Sequence, residues 1–212
     1  MMKARTLLAS ASLLLLLAAS GVAQKSAAPA RDYFPLRAGD SWTYRNDEDE
    51  SEFTVKVLGE ERQADGTVVY QVEHLVGIRI HAWYAKTPGW VLMLREANPE
   101  QEGMEVKHEP ARKFLKSPLV AGAKWTWKGK GMTGQDILTI STVAGPEVVT
   151  TPAGRFRAMK VVSKVTDGDA AVTRTTWYAP GVGLVKTLTE TPTLRYGSEL
   201  VDYSFKKKGP RG

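Results

Sequence analysis

His74, His81 and His108 are the only imidazoles in the chain, and with no cysteine anywhere they are the obvious candidates for chemistry. Three imidazoles can hold zinc with a fourth position open to water, and a neutral imidazole can act as a general base. Their spacing matches no zinc-ligand pattern, and an isolated histidine on a strand usually serves as a polar surface or satisfied core group. No metal or cofactor is therefore expected. Nucleophilic catalysis has no better start: the chain contains no G-x-S-x-G elbow and no S-x-x-K. Two strand carboxylates about 5 to 9 Å apart would suffice for glycoside hydrolysis, yet no pair stands out. GKGMTGQD, 129 to 136, has glycines but no following helix to aim N–H groups at a phosphate. RNDEDESE, 45 to 52, holds five acids without the glycine and spaced ligands of a calcium loop, and reads as a solvated hairpin tip. No catalytic residue is assigned, and a hydrolase is the weakest of the readings retained.

The elements that would position any such residue are strands almost throughout. Runs rich in β-branched and aromatic residues, such as FTVKVLG, TVVYQVEHLV, IRIHAWYA, DILTISTV and AAVTRTTWYA, are separated by turn signals. Asp65-Gly66 suits a tight hairpin, Pro88-Gly89 a type II turn, and Asp167-Gly168-Asp169 another hairpin. In PEQEGMEVKHEPARKFLK, Gly103 and Pro110 interrupt helical spacing, leaving 111 to 116 as one helical turn at most.

The chain also repeats itself. PLRAGDSWTYR, 35 to 45, matches PLVAGAKWTWK, 118 to 128, at six of eleven positions. WYAKTPGWVLMLRE, 83 to 96, matches WYAPGVGLVKTLTE, 177 to 190, at seven of fourteen, and Gly103/Gly197 and Glu105/Glu199 keep the same offset. Matching order with insertions confined to turns is the mark of a tandem duplication. The expected fold is all-β and antiparallel, internally duplicated with about six strands per copy, forming a curved half-barrel or a two-sheet sandwich that buries its apolar faces. A single domain is expected at 33–205, made of copies at 33–112 and 116–205. Residues kept by both copies, among them Trp42/Trp125, Trp83/Trp177 and Tyr84/Tyr178, are assigned to core and turns.

Unmatched residues are then free to work. Trp90, Leu92 and Met93 stand opposite Leu184, Lys186 and Thr187, and His81 stands opposite Thr175. The strand carrying Trp90 is apolar on both faces, which means burial on both sides or one face kept for a ligand. Trp90, Leu92, Met93 and His81 are the expected ligand-binding residues, with a lipid or other apolar molecule as the ligand.

The ends of the chain carry different information. Lys3, Arg5, the apolar run Leu7 to Leu17 and the small residues Gly21-Val22-Ala23 match a secretory signal at 1–23, followed by a linker at 24–32. The mature chain is then expected in the periplasm or outside the cell, with no transmembrane span. The net charge of +6 falls to +4 without the signal, and the tail KKKGPRG at 206–212 carries four of those charges. A balanced body argues against nucleic acid as a partner.

TPAGRF, 151 to 156, with WYAPGVGLVK, 177 to 186, resembles a motif pair of exported bacterial proteins of unknown function. In that family a T-P-A-G-x-F turn opens one long strand and a W-Y-x-P-x-x-G turn closes the next; the match covers about residues 148 to 190. Such proteins are similar to the antiparallel sheets of periplasmic lipoprotein carriers, whose curved sheet holds acyl chains, and no catalytic residues come with the resemblance. The combined expectation is an exported, non-enzymatic β protein that binds an apolar ligand or a cell-envelope protein. The alternative is a structural subunit docking through its strand edges.

Overall fold

The computed structural model describes residues 31–168 and 170–205. The signal expected at 1–23, most of the 24–32 linker and the tail at 206–212 lie outside these residues. The regular structure described is entirely β: β1 (Ser41–Asn46), β2 (Glu52–Arg62), β3 (Val68–Val76), β4 (Ile78–Thr87), β5 (Trp90–Ala97), β6 (Glu105–Lys116), β7 (Lys124–Lys130), β8 (Asp136–Thr151), β9 (Gly154–Asp167), β10 (Ala170–Ala179), β11 (Gly183–Glu190) and β12 (Arg195–Ser204). All twelve belong to one antiparallel sheet in the order β6-β5-β4-β3-β2-β1-β12-β11-β10-β9-β8-β7. Of the two arrangements left open by the sequence, the chain takes the single curved sheet, rolled into a nearly closed barrel.

Each half is a six-stranded meander, and the two are alike in detail. Gly39 N–H donates to Val57 O, and Val57 N–H to Asp40 O; Gly122 N–H donates to Val143 O, and Val143 N–H to Ala123 O. Val57 and Val143 are both fully buried, and each lies at a register shift against the next strand. A second pair of shifts falls between Trp83 and Tyr84 and between Trp177 and Tyr178. Bulges at matched places bend both halves alike, which lets a meander curl into a barrel wall.

The two junctions between halves differ. β12 and β1 are joined by a backbone ladder, Ser41 opposite Ser204 through Asn46 opposite Ser198, with one register shift between Thr43 and Tyr44. At the other junction β6 and β7 are the two edges of the sheet, with no ladder between them among the described residues. Indoles take the place of backbone pairing: Trp125 Nε1 donates to Lys113 O at 3.0 Å and Trp127 Nε1 to Pro110 O at 3.1 Å. By the offsets of the repeat, Pro110 occupies the place of Ser204, and a proline has no N–H to give a neighbouring strand.

The helical turn considered at 111–116 is instead the end of β6, paired with β5 from Trp90/Lys116 to Met93/Arg112. Strand pairing satisfies the backbone of this segment, which overrides the local helical tendency of ARKFLK. Along β7 the alternation is clean: Trp125 and Trp127 are buried while Lys124, Thr126 and Lys128 are exposed. On this strand the indoles point inward and the lysines outward, the reverse of a strand that faces lipid. No helix among the described residues is long and apolar enough to cross a membrane.

Candidate functional site

Rolling the sheet encloses a lumen of about 400 Å³. One end is plugged by the segment preceding β1. The Phe34 ring lies 5.2 Å from that of Tyr84, 5.3 Å from Phe114 and 6.5 Å from Tyr178, so it touches both halves. Just upstream, Asp32 pairs with Lys86 at 2.7 Å and accepts the Gly181 amide at its carbonyl, also at 2.7 Å. Gly183 explains the last glycine of the WYAPGVG turn: it has φ +98°, and a β-carbon there would meet Pro35 Cδ at 3.3 Å. A side chain would push against the plug. At the other end Val76 and Tyr196 line the lumen and remain exposed, marking its mouth.

The wall is uneven. Strands β2 to β6 contribute Phe53, Val55, Val72, Tyr84 and Phe114, whereas β8 to β12 contribute Thr139, Ser141, Ser163, Thr176, Thr187 and Ser198. Most of these hydroxyls face partners: Ser141 Oγ lies 2.8 Å from Ser163 Oγ, and Thr187 Oγ1 lies 2.9 Å from Ser198 Oγ. Thr139 Oγ1 is buried without a hydrogen-bond partner among the described residues.

Charged groups lie in and beside the same interior. His108, with a fully buried side chain, donates from Nε2 to Glu96 Oε2 at 3.1 Å, and Arg112 Nη1 lies 3.8 Å from the same oxygen. The His108 ring meets Trp127 edge-on at 5.3 Å, and the Arg112 guanidinium lies over that indole at 5.1 Å. Burial works to raise the Glu96 pKa, but the His108 hydrogen bond and the Arg112 charge outweigh it and leave the carboxyl below its ordinary value. Desolvation lowers the Arg112 pKa; Glu96 opposes this, and Arg174 adds to it. Desolvation also holds His74 below the usual imidazole pKa, with Glu96 opposing. Arg112, Arg174 and His74 all line the lumen.

The residues expected from sequence to bind a ligand lie elsewhere. Met93 is buried in the wall opposite Tyr84. Trp90 packs edge-on against Trp125 at 6.2 Å across the seam, with the Lys116 and Lys113 ammonium groups 4.6 and 5.2 Å from its ring centre. Leu92, half-buried, pairs with Ala85 and Lys113. His81 lies beside Gln71 (3.1 Å) and Glu73 (3.3 Å), next to the Arg79–Glu73 ion pair. None of the four lines the lumen. Among the described residues no group of three or more His, Cys, Asp or Glu is placed to hold a metal ion.

The lumen charges were legible in part. Arg174 shares its strand phase with Thr176 and Tyr178, and Arg112 shares its phase with Phe114. A core assignment for Tyr178 therefore turns Arg174 inward as well.

Comparison with known proteins bears on the fold. A model of the DUF3108-like family matches residues 123–191, from the start of β7 to the end of β11. No curated protein matches the sequence. Among solved structures, a "putative exported protein with YmcC-like fold" from Bacteroides fragilis is 15% identical, covering 83% of this chain and 100% of its own, with a TM-score of 0.53. A "putative lipoprotein" from Parabacteroides distasonis is also 15% identical, covering 82% and 99%, with a TM-score of 0.46. The chain is thus similar to the DUF3108-like family over residues 123–191 and shares its fold with the YmcC-like exported protein.

Proposed function

We propose that this is an exported, non-enzymatic barrel that carries an apolar ligand in its lumen, acting in the periplasm or outside the cell. The observation that carries the reading is the lumen itself: about 400 Å³ walled by Phe53, Val55, Val72, Tyr84 and Phe114, stoppered at one end by Phe34 and open at the other. Pockets for small molecules run from about 300 to 1,000 Å³ and are mostly apolar with a few placed polar groups. Export is supported by the sequence of residues 1–23 and by the description of the Bacteroides fragilis neighbour as an exported protein.

The edges an assembly subunit would use, β6 and β7, face each other across the seam and are bridged by two indoles. His81, expected from the sequence to bind a ligand, is absent from the lumen lining and is in hydrogen-bond contact with Gln71 and Glu73.

Native mass spectrometry of protein recovered from its own cell envelope tests the reading. A bound apolar mass is expected, along with one-to-one uptake of the uncharged dye N-phenyl-1-naphthylamine. Replacing Ser163 with Phe, which fills the lumen, is expected to abolish both. Empty protein that ignores the dye, or uptake unaffected by S163F, would sink the proposal.

A further inference from the structure

Building on the lumen as the ligand site, we propose that its ligand is a single-chain amphiphile with an anionic head, held by Arg112 and Arg174, and with its tail running toward Phe34. Two guanidiniums from β6 and β10 line one interior, and among the described residues the one carboxylate within ion-pair distance of either is Glu96, beside Arg112. That carboxylate is already committed to His108 at 3.1 Å and stands 3.8 Å from Arg112, too far for a hydrogen bond. Arg174 makes no ion pair among the described residues. Both forks therefore keep their donors for another acceptor, in a setting where two like charges repel. A bidentate anion, carboxylate or phosphate, matches guanidinium geometry and neutralises the excess charge.

Position gives the ligand its direction. Arg174 lines the lumen and is exposed, so it lies toward the mouth, on the side of Val76 and Tyr196. The aromatic stopper of Phe34, Tyr84 and Phe114 closes the far end. The Thr139 hydroxyl, buried without a hydrogen-bond partner among the described residues, lines the same lumen and adds a donor. At about 30 Å³ per water-sized group, 400 Å³ holds on the order of a dozen such groups, enough for one medium-length chain.

The test is calorimetric titration of the purified protein with dodecanoate, dodecyl phosphate and 1-dodecanol, each below its aggregation limit. Both anions are expected to bind about tenfold or more tightly than the alcohol, and whichever is tighter identifies the head as carboxylate or phosphate. Arg174→Gln is expected to erase that preference, and Arg174→Lys to restore part of it. Arg174 is exposed, so its variants can be checked for intact fold by circular dichroism; Arg112→Gln serves as a second variant. Equal binding of all three probes, or an anion preference that survives R174Q, overturns the inference but leaves the apolar lumen reading standing. Failure of all three to bind overturns that reading as well.

Discussion

At the scale of single residues, backbone proximity and buried charge decide most. Gly197 lies within β12, where a β-carbon would collide with the Thr187 carbonyl oxygen and approach Asp47 Oδ2 at 3.1 Å. Its repeat counterpart Gly103 sits in open space with φ +79°, so equivalent glycines are kept for different reasons: close approach in one half, backbone conformation in the other. Gly197→Ala is expected to cost about 1–3 kcal/mol, read as a lower urea midpoint. A neutral result would mean that β12 can shift away from β11 freely.

His74 makes a pH-dependent contribution. Its folded pKa lies below the ordinary 6.5, so as pH falls through that value the unfolded chain takes up the proton first, and stability declines. Glu96 has the same sign: its folded pKa is below the ordinary 4.5, so the stability it contributes above that value is lost as acid protonates it. The expected outcome is a urea midpoint that drops between pH 7.5 and 5.5 and drops less in His74→Phe. An identical drop in the variant would assign it to other groups.

At the scale of elements, the turns and the seam show what strand patterning leaves undecided. The acidic tip between β1 and β2 is exposed at Glu48, Asp49 and Glu50, as its composition suggests, but Asp47 is tied to β12. Its Oδ1 accepts the Gly197 amide at 2.6 Å, and its own amide donates to Gly197 O at 3.1 Å. Nothing in a run of five acids distinguishes the one that staples two halves together.

The seam is the weak line of the barrel. β12 and β1 share a full ladder, whereas β6 and β7 meet through two indole hydrogen bonds. Local opening should follow backbone pairing. Amide hydrogen exchange is therefore expected to be faster on the facing edges of β6 and β7 than in β1 and β12, and faster still in Trp127→Phe, which leaves Pro110 O without its donor. Equal protection at both junctions would show that side-chain closure holds as firmly as a ladder.

At the scale of the whole molecule, the halves are near copies that do unequal work. Trp83 and Trp177 occupy matched bulges, and each lies beneath a cation: Arg95 at 3.9 Å and Lys160 at 5.3 Å. Tyr84 and Tyr178 are both buried against the Phe34 plug. These pairs are scaffold. The differences accumulate in the lumen, where the first half supplies most of the aromatic and aliphatic wall and the second most of the hydroxyls.

What the sequence determined by itself is local. Alternation at period two and the turn residues placed the strands, and the repeat identified Trp42, Tyr84 and their counterparts as scaffold. Where local spacing competed with pairing, as at 111–116, pairing won. Only the tertiary structure decided that one junction would be laddered and the other bridged by indoles. It also decided that Trp90 would seal a seam and that Arg112, His74 and Arg174 would share one lumen, with Glu96 and His108 beside Arg112. The physical reason is that alternation tells which face of a strand a side chain takes, whereas its neighbours across a barrel depend on bulges, register and closure summed over twelve strands.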